Sequence, residues 1–428
     1  MPDTVQQLMD PLSKPFEKPL PLPRLLPNLR RMLRDALRWE ERAEQPFFRD
    51  TDLTLKLRTF YYNRDTHKVN AADPVNEAWA VGGSLAYQSG WYKDFLSIGA
   101  EVFTSQKLYG PRDRDGTLLL RPGQHEYTVV GQTYAQLQYK EHLAVLYRQY
   151  FDLPYVNKQD NRMTPNTFEG YRLSRSGGRL RYVIGYIDKI KRRDSSTFIS
   201  MAEAAGAPPG RKRGLFLAGV AYVPSDNALT GVINYLIPDV LNILYAEMNY
   251  TWIVNQNLQL KLSAQFTDQR SVGQELLGSF DTRVAGSRAA LSYRNAIVTT
   301  AFSTTATGAA IRSPFGTYAG YLSLMEKDFN RAGESAWLVG LAYDLKNLGL
   351  PGLSCAMNYA RGYGARDAAT GQPLPREAEF DLTVDYRVQQ GPLRGLWLRI
   401  RDGAVDFNHQ GGSSNTVRLI VNYELPVL

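Results

Sequence analysis

The side chains best suited to chemistry in this sequence are cations that alternate with apolar residues. Lys56 and Arg58 interleave with Leu53, Leu55 and Leu57, and Arg399 and Arg401 with Leu398 and Ile400. Arg418 stands between Val417 and Leu419, and the same alternation adds Arg148. A row of guanidinium groups can replace an anion's lost hydration with charge-assisted hydrogen bonds, and the guanidinium fork fits a carboxylate bidentately. Counter-charges accompany the row. If the turn at Gln389 to Pro392 closes a hairpin, Asp381 and Asp385 share a face with Arg399 and Arg401, and Asp381 is expected to pair across strands with Arg401.

Enzyme chemistry finds little support. His67, His125, His142 and His409 are scattered, with no H-E-x-x-H and no paired metal spacing. No G-x-S-x-G elbow is present. Asp381 and Asp385 follow ordinary strand alternation and do not mark a glycosidase pair. Arg361-Gly362-Tyr363-Gly364 reads as loop, not phosphate cradle. Cys355 is the only cysteine, which excludes an intrachain disulfide and a Cys-rich metal site. The expectation is no catalytic residue, no metal and no cofactor.

The elements that must position these cations have a period of two. Leu53 to Tyr61, Leu258 to Phe266, Phe380 to Val388, Leu396 to Arg401 and Thr416 to Tyr423 each place apolar residues on one face and polar residues on the other. Such strands suit two settings. A soluble sandwich buries the apolar face and wets the polar one, whereas a transmembrane barrel turns the apolar face to lipid and encloses a polar lumen. Strand lengths of about nine residues are enough for a tilted crossing. Aromatic clusters such as Phe60-Tyr61-Tyr62 and Trp91-Tyr92 suit an interfacial girdle, and long polar segments at 109–124 and 361–377 suit outer loops.

Composition sets the limits. The 428 residues are 43% hydrophobic, too apolar for a disordered chain, and the 26 tyrosines favour strands that meet an oil–water boundary. The most apolar window, Leu229 to Tyr245, is broken by Asn234, Pro238, Asp239 and Asn242, so no transmembrane helix is read. Net charge is +8, yet nothing resembles an RRM, a zinc finger or a P-loop, and no nucleic-acid partner is expected. Met1-Pro2-Asp3 opens a polar stretch without an apolar h-region, which leaves open whether a signal peptide was removed.

Residues 1–46 form a separate unit from 47–428. Seven of the 23 prolines fall between Pro2 and Pro27. Asn28 can then cap an amphipathic helix, with Leu29, Met32, Leu33, Ala36, Leu37 and Ala43 opposite five arginines. A helix docked on the body, a membrane- or partner-binding helix and a lumen plug all fit this extension.

Several segments, in order and spacing, resemble the OprD family of Gram-negative outer-membrane porins, also called outer-membrane carboxylate channels. They are the run from Leu53 to Asp65, Glu77-Ala78-Trp79-Ala80 with Ser89-Gly90, Leu153 to Asn157, and Asp160 to Gly170. Later come Arg361-Gly362, Gln390 to Leu396 and Arg418-Leu419-Ile420-Val421. The resemblance spans residues 48 to 428. It implies an all-β fold: a transmembrane antiparallel β-barrel of about 18 strands with inward-folded loops, a monomer or loose trimer, in contact with the lipid of the outer membrane.

It also implies passive, substrate-preferring diffusion of small hydrophilic solutes, with a basic ladder guiding them. On that reading Lys56, Arg58, Arg148, Arg399, Arg401 and Arg418 line the pore, Asp381 and Asp385 are counter-charges, and the segment Pro154–Gly170 folds into the lumen. There Asp160, Asn161 and Arg162 are constriction candidates, with Asp160 and Arg162 as opposing charges. The solutes expected are anionic, carboxylate-bearing molecules. A general or sugar-selective porin and a soluble β-rich carbohydrate-binding or hydrolytic protein are the alternatives.

Overall fold

The computed structural model describes residues 45–67, 74–407 and 412–428. The expected helix over residues 28–43 and nearly all of the extension lie outside them. From Asp52 onward the chain is one closed antiparallel barrel of 18 long strands. These are β1 (Asp52–His67), β2 (Val75–Gln88), β3 (Leu96–Tyr109), β4 (Tyr127–Tyr139), β5 (His142–Gln149) and β6 (Thr167–Arg175). They continue with β7 (Leu180–Lys191), β8 (Leu215–Ser225), β9 (Ala228–Ile237), β10 (Leu241–Asn255), β11 (Leu258–Ser271) and β12 (Asp281–Tyr293). The last are β13 (Ala296–Thr305), β14 (Ser335–Asp344), β15 (Leu353–Tyr363), β16 (Glu377–Arg387), β17 (Trp397–Asp406) and β18 (Ser413–Pro426). Each strand pairs with its chain neighbours, and β18 returns to β1 from Thr54↔Pro426 to His67↔Ser413. Closure leaves no edge, so the ladder satisfies backbone N–H and C=O groups without water.

Alternation along the strands has the polarity of a membrane barrel. On β18, Leu419 is 42% exposed while its neighbour Arg418 is 2% exposed. Leu57, Val81, Leu85, Ile98 and Ile400 are likewise exposed on the outer face. A soluble sandwich would seal these side chains inside, so that alternative is overturned. Exposed Tyr139, Tyr222, Tyr250, Trp252 and Tyr293 ring the end with the short turns, and Tyr109 and Tyr363 stand at the end with the long loops. This suits an aromatic girdle at each interface. One expected girdle cluster is divided: Tyr61 faces out, but Phe60 and Tyr62 are 1% exposed and point inward. Three consecutive strand residues cannot share a face.

The interior is partly filled by chain. The segment between β5 and β6 and the segment between β13 and β14 both fold inward. Phe151, Tyr155 and Val156 from the first, with Phe315 and Tyr318 from the second, pack against inward residues of β6 to β12, including Phe168, Leu217, Tyr235 and Tyr245. Tyr155 stacks edge-on with Tyr245 and Tyr318 at about 6 Å and donates its hydroxyl to Thr267 at 2.9 Å. One side of the lumen is therefore packed and apolar. The inner faces of β16 to β18 and β1 to β3 carry the charged side chains instead.

Leu419 lies at the middle of its strand. Leu419→Arg is expected to lower stability by about 2–4 kcal/mol, measured by urea titration of the barrel refolded into lipid vesicles. A change below about 0.5 kcal/mol would show that this face does not meet hydrocarbon.

Candidate solute path and constriction

Register decides which cations meet. Across β16 and β17, Asp385 opposes Arg399 and Thr383 opposes Arg401, while Asp381 opposes Gly403. Arg399 grips Asp385 bidentately, both contacts at 2.6 Å, with its guanidinium 4.4 Å from the centre of the Trp397 ring. Arg401 donates Nε–H to Thr383 Oγ1 at 3.2 Å and makes no ion pair among the described residues. The expected Asp381–Arg401 pair does not form. The Asp381 carboxylate instead accepts the backbone N–H of Met325 at 3.0 Å, because the hairpin register sets it opposite glycine.

Arg401 stands directly opposite Arg418 on β18. Arg418 donates to the Met325 carbonyl at 3.0 Å and to Glu326 Oε1 at 2.5 Å. Tyr62 lies between two guanidiniums, Arg418 at 5.2 Å and Arg162 at 4.9 Å from its ring centre, an arrangement that draws both cations to the ring faces. Further round the wall, Arg58 Nε donates to Asn422 Oδ1 at 2.7 Å, and Lys56 lies 3.4 Å from Glu101.

The 150–166 segment closes on this wall. Asp160 takes Arg58 at 2.6 Å and 3.3 Å, and Arg58 also reaches the Arg162 carbonyl at 2.5 Å. Lys56, Arg58, Ser84, Glu101, Tyr150, Lys158 and Asp160 border a cavity of about 140 Å³. Burial alone would push the Asp160 carboxyl up, but the Arg58 guanidinium overcomes this and holds it below the ordinary 3.8. Asp160 and Arg162 do not face each other as opposing charges. Arg162 is buried, donating to the carbonyls of Thr117 at 2.7 Å and Asn161 at 2.8 Å. Burial, with the positive charges of Arg418 and Arg193 nearby, pushes its pKa well below the usual arginine value. Asn161 uses its side-chain carbonyl to accept from Arg193.

Arg148 departs most from expectation. It pairs in register with Glu169, two residues beyond the pair Leu146↔Tyr171, and Tyr171 is 56% exposed on the outer wall. Its guanidinium binds Glu169 at 2.8 Å and covers the Phe198 ring at 4.2 Å, so Arg148 belongs to the outer rim and not to the lumen.

A model of the outer membrane porin OprD family matches residues 45–427. The chain belongs to the OprD family of outer membrane porins. Porin D of Pseudomonas aeruginosa is 25% identical over 91% of this chain and 94% of the relative, and the porin-like protein GalP of Pseudomonas putida is 24% identical over 89% and 93%. Among solved structures, OccK9 (OpdG) of Pseudomonas aeruginosa superposes with a TM-score of 0.82 at 26% identity, covering 89% of this chain and 100% of that one. OpdK of the same organism, crystallised with vanillate, gives 0.78 at 23% identity over 88% and 99%. The porin is thus a channel of the Gram-negative outer membrane that passes small solutes, with its short turns on the periplasmic side.

Several side chains escaped the sequence. Arg64 and Tyr62 continue the inward parity of Lys56 and Arg58 and were readable from it. Glu101, on the inner face of β3, accepts from Ser84 at 2.6 Å and Tyr150 at 2.9 Å. Glu326 lies in a loop with no period to betray its direction.

The two inward loops of the porin meet through Asn157. Its Oδ1 accepts from Thr317 N at 2.9 Å and its Nδ2 donates to Thr317 O at 3.2 Å. The approach requires Gly316, where a Cβ would fall 2.5 Å from Asn157 Oδ1. Asn157→Ala is expected to leave the barrel folded and free the loops at a cost of about 1–3 kcal/mol, seen as added current noise and higher mean conductance in single-channel records. Unchanged traces would show that the clamp is dispensable.

The Asp160–Arg58 tether also has a pH signature. A carboxyl depressed in the folded state contributes stability that is present above its ordinary pKa of 3.8 and lost as pH falls through the lower folded value. Loop noise is therefore expected to stay flat from neutral pH down to that range and to rise only below it. In Asp160→Asn the noise should be high throughout.

Proposed function

We propose that this porin carries small hydrophilic anions, carboxylates foremost, by passive diffusion along the charged side of its lumen. Arg401 carries the reading. It sits on the inner face, opposite Arg418 and one alternation from Arg399, and has a neutral hydroxyl for a partner where those neighbours hold internal carboxylates. A guanidinium so placed offers a passing carboxylate two parallel hydrogen bonds in exchange for lost hydration, lowering its barrier to passage. Arg58, Arg64, Arg399 and Arg418 extend the positive field along the path, and Lys56 with the nearby cavity continues it beyond the 150–166 loop. The vanillate in the OpdK crystal is an aromatic carboxylate. At 23% identity that likeness carries the fold, and the carboxylate chemistry rests on the arginines of this chain.

One observation favours a competing reading. Glu377, Glu379, Asp381 and Asp385 all face inward on β16. This acidic column offsets part of the basic field, and a general or sugar-selective porin without anion preference is what full cancellation would give.

Zero-current potentials in a potassium chloride gradient across a planar bilayer separate the two. The anion channel is expected to reverse on the chloride side of zero, and Arg401→Gln to move the potential toward potassium. A wild-type potential at zero, unmoved in Arg401→Gln, would reject the anion reading.

A further inference from the structure

The tip of the loop between β13 and β14 is anchored over the basic row with unusual completeness. Asp381 accepts from the backbone N–H of Met325 at 3.0 Å, and the two oxygens of Glu379 accept from Glu326 N and Lys327 N, both at 2.8 Å. Leu324 N closes the turn onto Lys327 O at 2.8 Å. Met325 lies against the backbone at Gly403, where a Cβ would fall 2.3 Å from its Cε. The backbone of the tip is fixed to β16 and β17, and what it presents to the adjoining strands β18 and β1 is the Glu326 side chain.

That side chain lies where cargo would be bound. Glu326 Oε1 takes Arg418 Nη2 at 2.5 Å, and Oε2 takes Arg64 Nη2. Glu326 and Arg418 are each 3% exposed, whereas Arg64 remains 34% exposed. The Nε atoms of Arg64 and Arg418 are buried without a hydrogen-bond partner among the described residues, so neither guanidinium is saturated by the loop. One carboxylate held by two guanidiniums is the arrangement an arginine-lined path offers to a carboxylate solute.

We propose that Glu326 is a tethered competitor for the solute carboxylate. This rests on the anion reading given above and assigns a specificity-setting role to a residue outside the barrel wall. In the resting channel the Glu326 carboxylate holds Arg418 and Arg64. An arriving carboxylate displaces it, and because the tip backbone stays clamped by Asp381 and Glu379, the exchange needs only rotation of the Glu326 side chain. The guanidiniums then pass from one carboxylate to another without standing bare at low dielectric, which keeps both the entry barrier and the residence time low.

The test uses the full chain in planar bilayers, with chloride against potassium as the charge readout and benzoate as the carboxylate probe. Glu326→Gln preserves shape and removes the charge, while Glu326→Asp keeps the charge on a shorter stem. Heat-modifiable mobility on a denaturing gel checks that each barrel is folded. Expected for Glu326→Gln are a zero-current potential displaced toward chloride and longer benzoate-induced blocks, with Glu326→Asp close to wild type. Unchanged selectivity and block times in Glu326→Gln overturn the proposal. So does an equal change in Glu326→Gln and Glu326→Asp, which would mark a packing role. A wild-type channel without anion preference refutes the broader function, but the difference between wild type and Glu326→Gln still reads the competitor by itself.

Discussion

The pairing of β18 with β1 is the constraint on which the molecule depends. A sheet that closes on itself has no edge, so it can stand in hydrocarbon with its backbone hydrogen bonds made. Once the sheet is closed, the period of two leaves each strand a single choice of face. Leu57 and Leu419 go to lipid because Arg58 and Arg418 cannot. The inward cations are thus a by-product of the same alternation that makes the outside greasy, and their number and sign are what the sequence is free to vary.

Cations placed inside such a wall need counter-charges, and the loops supply much of what the strands do not. Asp160 meets Arg58 and Glu326 meets Arg418 and Arg64, while Asp385–Arg399 and Glu101–Lys56 are pairs built into the wall itself. A buried ion pair gains little in net stability, and removing one partner is costly. Ion pairs of this kind are better understood as locating devices. They fix where each loop lies, whereas Arg401 gives its Nε–H to a neutral hydroxyl.

The fold was legible because a barrel writes itself into the sequence strand by strand. Leu53 to Tyr61 and Thr416 to Tyr423 alternate except at the inward Phe60 and Ile420, and both have the faces that the alternation predicts. The site was legible only where that alternation holds. Lys56, Arg58, Arg399, Arg401 and Arg418 all point inward. Arg148 does not, because it shares the parity of Leu146, which opposes the outward Tyr171, and the short strand β5 offers too few residues to settle its face from sequence. Arg162 and Asp160 sit in a loop whose path follows from distant contacts, with Thr117, Tyr62 and Arg58, that no local pattern encodes. The Asp381–Arg401 expectation failed by a register step: which residues oppose each other across a hairpin depends on how the long turn at 388–396 folds, and composition does not reveal it.

The unequal filling of the interior has an evolutionary consequence. Where Tyr155, Tyr245 and Phe315 interlock, a change in any one side chain must be answered by its neighbours, and that semicircle of the barrel can drift only in concert. Across from it, Thr383 and Arg401 are joined by a single hydrogen bond on the inner face, among the charged side chains of β16 to β18. Exchanges on that side can alter the charge of the lumen wall while the packed side stays as it is.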